Sequence, residues 1–363
     1  MMSKTVKYAR NGALIGGFGN ALINVAKQLY KISENQQQEF SWREVLTAGL
    51  KGAAVGGLTG GAIGAIQDYS TSLEEPINTD KAILKAVAGV QLCKTDLSYQ
   101  ELAYTSEKII DRLIKSFGDK LHTKPFRFGS TEKGTSLNYD FDIDISLTFR
   151  PNAFSSTKVM FREVLNEIGT YIDTNHIVEV REQKKSIGII LNIRGNEYRI
   201  DIVPTKVTKP GKGTAGYLYV NDTSFFTDNS TYTKTDTLLL NSQQLTATQK
   251  KIVVAFKYWK SQNDIPMSGY LIERIVLEAY KYNSNRIPKR FTQKLLMVID
   301  YISTNFDTIS IKGVENTNNV LTDISIQHKD IIISSCDKIL EDYEYQPNSI
   351  VKYFGDTESI KTK

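Results

Sequence analysis

The spacing of hydrophobic and polar positions changes several times along this 363-residue chain, and each change marks an element. Apolar residues recur at helical spacing over 81–92 and again over 99–117, where Leu102, Ile109, Ile110, Leu113 and Ile114 share one side. The period then drops to two: Phe141, Ile143 and Ile145 fall on one face of a predicted strand, and Asp140, Asp142, Asp144 and Ser146 on the other. A loop over 151–157, a helix over 159–174 and a strand over 176–180 follow. Two alternating runs, 185–193 and 197–203, flank Arg194-Gly195-Asn196 and read as a hairpin. From Thr246 the pattern is helical again. Thr246-Ala247-Thr248-Gln249 opens a helix with Ile252, Val253, Phe256 and Trp259 on one side, and further helices are predicted over 287–302, 324–333 and 337–345. The chain is therefore expected to be α+β, ending in a helical lobe over 246–347 and a mobile tail over 348–363 that carries Tyr353.

The first seventy residues follow another rule. One apolar run is punctuated by Gly12, Gly16, Gly17 and Gly19, a second by glycines from Gly49 to Gly64. In the second, Gly52, Gly56, Gly60 and Gly64 repeat every four residues, which makes one smooth small-residue stripe on a helix. Each glycine costs about 1 kcal/mol relative to alanine, so something must pack on that stripe. With Ser41-Trp42-Arg43-Glu44 as a capping box before the second run, 1–70 reads as a glycine-rich helical hairpin. Residues 10–66 then serve homo-oligomer assembly, partner docking, membrane contact or passive packing. Lys51 in one run and Asn11, Asn20 and Asn24 in the other make both poor membrane spans, which want about 20 apolar residues. A linker with a helix covers 71–97.

The candidate chemistry lies where the period changes. In Phe128-Gly129-Ser130-Thr131-Glu132-Lys133-Gly134-Thr135, two glycines let backbone N–H groups converge on an anion while Ser130 and Thr135 add hydroxyls, a pattern that suits a phosphate. The strand after it sets carboxylates side by side, and their repulsion is relieved by a divalent cation; magnesium takes carboxylate and phosphate oxygens together. A third acid, Asp201, lies in the apolar run Tyr198-Arg199-Ile200-Asp201-Ile202-Val203-Pro204. Three acids on adjacent strands could hold two ions, Mg2+ or Mn2+, for in-line displacement at phosphorus. Both Asp140/Asp142 and Asp142/Asp144 satisfy the paired spacing.

Composition narrows this little. With 40% hydrophobic and 23% charged residues the chain is ordinary globular material, long enough for two or three domains. Lys+Arg 45 against Asp+Glu 40 gives +5. Lys184, Lys185, Lys206, Lys209, Lys212, Lys250, Lys251, Lys257 and Lys260 are gathered around and after the Asp201 run; they either converge on a cleft for polyanions or form a solvated basic face. The basic segment 206–221 reads as a surface loop or a flap over bound nucleotide. Cys93, Cys336 and three histidines lack zinc-ligand spacing. The start lacks the features of a signal peptide, so the expected location is cytoplasmic, with membrane association through the hairpin as the alternative.

The order Gly-Ser, Gly-Thr, Asp-x-Asp and a later lone Asp on Ile-Asp-Ile-Val-Pro resembles the nucleotidyltransferase superfamily, and within it the cGAS/DncV-like enzymes (CD-NTases) of bacterial antiphage defence. A Hailong-type relative that makes short oligonucleotides is one version of the resemblance. It implies a polymerase beta-like mixed sheet with helices as the catalytic core over 98–245, with the long helix 99–117 bracing both lobes. It favours Asp142 and Asp144 as the metal pair, since an apolar strand follows them, with Asp201 completing the set and all three being catalytic. It implies donor nucleotide binding by Gly129, Ser130, Gly134 and Thr135, triphosphate contact by Lys257, Ser268 nearby and Tyr270 stacking on a base. Gly269 departs from the small polar residue common in relatives. The implied activity is template-independent joining of nucleoside triphosphates, ATP or dATP favoured, into a cyclic or short linear signal for a nucleotide-gated effector. The alternatives are toxin-like nucleotidyl transfer to protein or RNA, and a membrane or assembly module in which catalysis is secondary.

Overall fold

The computed structural model describes residues 78–355 apart from 172–175, 210–212, 222, 225–226, 229–230, 315–318 and 323. The glycine-rich hairpin expected over 1–70 and the last residues of the tail lie outside the described residues. So does the middle of the basic segment, 210–212.

The first half of the described residues is built around a mixed sheet. Strand β1 (Phe126–Phe128) runs antiparallel to β2 (Asp142–Phe149), and β2 runs parallel to a long strand, Asn196–Val207. That long strand is β5, because Ile177–Glu182 (β3) and Ile187–Ile193 (β4) precede it in the chain and continue the sheet beyond it in the order β1-β2-β5-β4-β3. Arg194 and Gly195, with φ of 54° and 82°, make the tight β4–β5 turn, the positive-φ geometry that matches strand twist. The far end of β5 pairs with β6 (Gly216–Val220), which pairs with β7 (Thr231–Thr235). The segment 206–221, read as a loop, is thus partly sheet.

Two hydrophobic cores form. In the first, the apolar faces of β2 and β5 (Ile143, Ile145, Leu147, Ile200, Ile202) are covered by Leu102, Ile109 and Leu113 of the helix Leu97–Phe117 and by Phe161 and Val164 of Thr157–Gly169. Ser156 caps the latter through the Val159 N–H, as its short side chain and the following apolar run favour. The second core is helical: Ala247–Asn263, Gly269–Tyr282, Phe291–Asn305 and Ile326–Tyr345 pack with the first described helix, Thr79–Val90. Residues 79–90 therefore belong physically to the C-terminal lobe. Asp80 also accepts hydrogen bonds from the Phe291 and Thr292 N–H groups, at 3.2 and 2.8 Å, and so caps a helix that has no cap of its own.

Two expectations are corrected. The helices read over 324–333 and 337–345 are one, Ile326–Tyr345, because Ser334 and Ser335 turn their hydroxyls back onto the Ile331 carbonyl and Ile332, Cys336 and Ile339 keep one buried stripe. The tail expected from Asn348 is packed as far as it is described: Ile350–Phe354 is a short helix with Ile350 and Phe354 fully buried. There the Tyr353 hydroxyl donates to Asp342.

Candidate active site

The register of β2 and β5 builds the site. Asp144 pairs with Asp201 and Asp142 with Arg199, so the period-two alternation that buries isoleucines on one face sets three carboxylates on the other. One oxygen from each of Asp142, Asp144 and Asp201 lies within 4.8 Å of the other two. Asp140 falls before the strand, exposed, with its carboxylate 3.4 Å from Arg199. Of the two pairs the spacing allowed, Asp142/Asp144 is the one the fold brings to Asp201.

The turn ahead of β2 is wrapped around this triad. Gly129 has φ +83°, a conformation that L side chains rarely adopt, and a Cβ built on it would lie 2.0 Å from Asp144 Oδ2. Only glycine lets the turn approach so closely. Gly129–Lys133 is a single helical turn ended by left-handed Gly134, φ 71°. The Thr131 hydroxyl donates to the Asp142 carbonyl and so ties the turn to the start of β2.

Burial dominates the electrostatics. Desolvation pushes the carboxyl of Asp144 well above the usual range, with Asp142 and Asp201 adding repulsion. Asp142 is raised for the same first reason, and Asp201 is raised to about 6 by burial and then by Asp142. Gln183 donates to Asp201 Oδ1 at 3.1 Å. Three carboxyls that each resist ionisation at one point suit a divalent cation, which supplies the positive charge they lack.

Across the cleft stands a wall of opposite character. A cavity of about 320 Å³ is lined by Gly129, Ser130, Lys133, Asp142 and Asp144 from the turn and the sheet and by Lys257, Gly269, Tyr270 and Glu273 from the helical lobe. Glu273 is buried, bonded to Lys133 Nζ at 2.8 Å and to the Thr135 hydroxyl at 3.0 Å. Burial lowers the pKa of Lys257, against the pull of Glu273 and Asp142. A Cβ on Gly269 would lie 3.0 Å from Lys257 Cε, so the missing side chain there makes room for the lysine.

Several expected residues sit elsewhere. Thr135 is fully buried behind the turn and Gly134 closes it, its carbonyl accepting from Gln91; both support the cradle without lining the cavity. Ser268 caps Gly269–Tyr282 through the Leu271 N–H and lines a second cleft of about 560 Å³, which shares Phe128, Leu240 and Tyr270 with the first. The basic residues do not converge as a set. Lys257 and Lys185 reach the two clefts, whereas Lys206 donates to the Phe154 carbonyl. Sequence reasoning missed Lys133, Glu273 and Gln183. The only signal for Glu273 was its position three residues, about one helical turn, after Tyr270.

No family model matches the chain. In sequence it is similar to a probable cyclic nucleotide synthase of Bacillus cereus, 24% identical over 264 residues that cover 61% of this chain and 75% of the relative. In fold it is similar to CdnC of Escherichia coli MS115-1 solved with ATP, at TM-score 0.57 and 17% identity over 76% of this chain and 98% of that one. It is likewise similar to the CD-NTase CdnG of Bradyrhizobium diazoefficiens solved with GTP, at TM-score 0.55 and 10% identity over 79% and 98%. The mixed sheet with its helical lobe is the CD-NTase fold. With that fold, with its acidic triad and with its likeness to a probable cyclic nucleotide synthase, the chain is a nucleotidyltransferase enzyme.

Proposed function

We propose that the protein joins nucleoside triphosphates, without a template, into a cyclic or short linear oligonucleotide signal, and that this signal serves antiphage defence through a nucleotide-gated effector. The observation that carries the catalytic part is the contact of the Gly129 turn with Asp144: the phosphate cradle and the acidic triad are one site. Similarity to a probable cyclic nucleotide synthase and to CD-NTases solved with ATP or GTP supports nucleotide polymerisation.

In this reading Ser130 and the N–H groups of the turn hold the donor triphosphate, and Lys133 and Lys257 face its phosphates. Asp142, Asp144 and Asp201 hold Mg2+ or Mn2+, which would neutralise charge on the phosphates and the attacking oxygen. The acceptor hydroxyl oxygen attacks the α-phosphorus, the bond from that phosphorus to the bridging oxygen breaks and pyrophosphate leaves. The hydroxyl proton passes to a carboxylate oxygen of Asp201, acting as general base.

The test is to incubate the full chain with magnesium and each labelled ribo- and deoxyribonucleoside triphosphate, beside an Asp142→Asn/Asp144→Asn double variant, and to resolve products by mass. A small oligonucleotide made by the wild type and not by the variant is the expected result. Label appearing on protein or added RNA instead would overturn it.

A further inference from the structure

The second cleft contains one side chain whose hydrogen bonding fixes what it can offer a ligand. Asn319 Oδ1 accepts from the Ile311 N–H at 3.0 Å and from the Leu321 N–H at 3.1 Å. Both partners are donors, so the oxygen of the amide is assigned by chemistry, and both of its lone pairs are taken. Among the described residues the amide nitrogen has no partner, and Asn319 lines the cleft. The free polar group of its side chain is therefore an NH2 that can only donate.

The same segment grips Tyr270. The Val314 N–H donates to the Tyr270 hydroxyl at 3.1 Å, so the far edge of this ring is pinned to the loop that carries Asn319. Lys312 and Asn319 form a β-bridge and the Val320 N–H donates to the Ile311 carbonyl at 2.8 Å, which closes the loop on itself. Tyr270 walls both clefts, so a base lying on its face would point an edge toward the loop.

An asparagine with both amide atoms free reads adenine through N6 and N7, accepting with its oxygen and donating with its nitrogen. Here the oxygen is occupied. Guanine, with acceptors at O6 and N7, offers a donor-only NH2 an acceptor all along that edge, whereas the 6-amino group of adenine would meet it with another donor. We propose that Asn319 selects a 6-oxo purine over a 6-amino purine at the base position along Tyr270. The proposal rests on the nucleotide-joining reading of this cleft and gives it a base class that differs, at this position, from the ATP or dATP the family resemblance favours.

The variant that tests it is Asn319→Asp. Aspartate keeps an oxygen for the Ile311 and Leu321 N–H groups and replaces the free donor with an acceptor. Calorimetry on the full chain with magnesium would compare the α,β-methylene triphosphates of guanosine, inosine, adenosine and 2,6-diaminopurine riboside, none of which can release pyrophosphate. Expected for the wild type is about tenfold tighter binding of the guanosine analogue than of the adenosine analogue. The inosine analogue should follow guanosine and the diaminopurine analogue adenosine. In Asn319→Asp, with an unchanged melting temperature, the ratio should fall to parity or reverse. Equal or tighter binding of the adenosine analogue by the wild type, or an unchanged ratio in a folded variant, overturns the proposal; if the variant does not fold, the four analogues on the wild type decide alone. Products from the natural triphosphates are scored separately. Binding that follows the 6-substituent without any product would sink the synthase reading and leave this one, and products formed regardless of that substituent would do the reverse.

Discussion

The two walls of the cleft solve opposite electrostatic problems. On the sheet side, strand register forces three carboxylates together, and burial and mutual repulsion raise the affinity of each for a proton. On the helical side, Glu273 compensates Lys133 and accepts from Thr135, with Lys257 close by as an additional positive charge. One wall is incomplete without an added cation; the other is already organised. The difference teaches that substrate and metal are needed mainly by the sheet side, while the helical side supplies a fixed frame.

The largest effect should come from the sheet wall. Asp144→Asn is expected to reduce product formation by at least about a hundredfold while raising the melting temperature of the metal-free protein, because it removes a carboxylate that folding desolvates; product assays and thermal melts measured together check both. On the helical wall the sign reverses. Glu273→Gln leaves Lys133 buried without its counter-ion and should destabilise the fold by roughly 3–5 kcal/mol, read from urea unfolding. If that variant proves neutral, the wall is not held by charge compensation.

Gly129→Ala joins strained φ to a collision with Asp144 and is expected to cost about 1–3 kcal/mol of stability, with loss of activity. Next comes pH. The folded-state pKa of Asp201 is raised from 3.8 to about 6, so the fold binds this proton more tightly than the unfolded chain does. Its contribution to the stability of the metal-free protein is present below pH 3.8 and is lost as pH rises through about 6, where magnesium or manganese begins to stabilise. Melts with and without metal should therefore diverge above that pH, and Asp201→Asn should flatten the pH dependence. The smallest effect is expected away from the cleft: Asp80→Ala uncaps Phe291–Asn305 and should cost about 0.5–2 kcal/mol by chemical denaturation.

What was legible in the chain was what is local. Asp142, Asp144 and Asp201 announce themselves by period-two alternation, and the Arg194-Gly195-Asn196 hairpin delivers Asp201 in register. Glu273 stayed hidden because its partners, Lys133 and Thr135, are 140 and 138 residues away in the chain, and no periodicity reports such a contact. Thr135 was misplaced for a related reason: a hydroxyl in a glycine turn suits a phosphate or a buried carboxylate equally well, and only the third dimension decides. Helix Ile326–Tyr345 was read as two because Ser334 and Ser335 look like a break in sequence and act as back-bonded helix residues in space.

Asp80 has a consequence for the order in which the molecule can be completed. The helix that carries it is made before the whole catalytic sheet, yet its apolar face and its carboxylate find their partners only once Phe291–Asn305 exists, more than two hundred residues later. A growing chain must therefore carry Thr79–Val90 with an unsatisfied face throughout synthesis of the sheet lobe, and the helical lobe closes only after Phe291–Asn305 has been made. Such a link makes the two lobes inseparable in practice: a chain trimmed to begin at Leu97 would retain every residue of the acidic triad and lose one wall of the lobe that faces it.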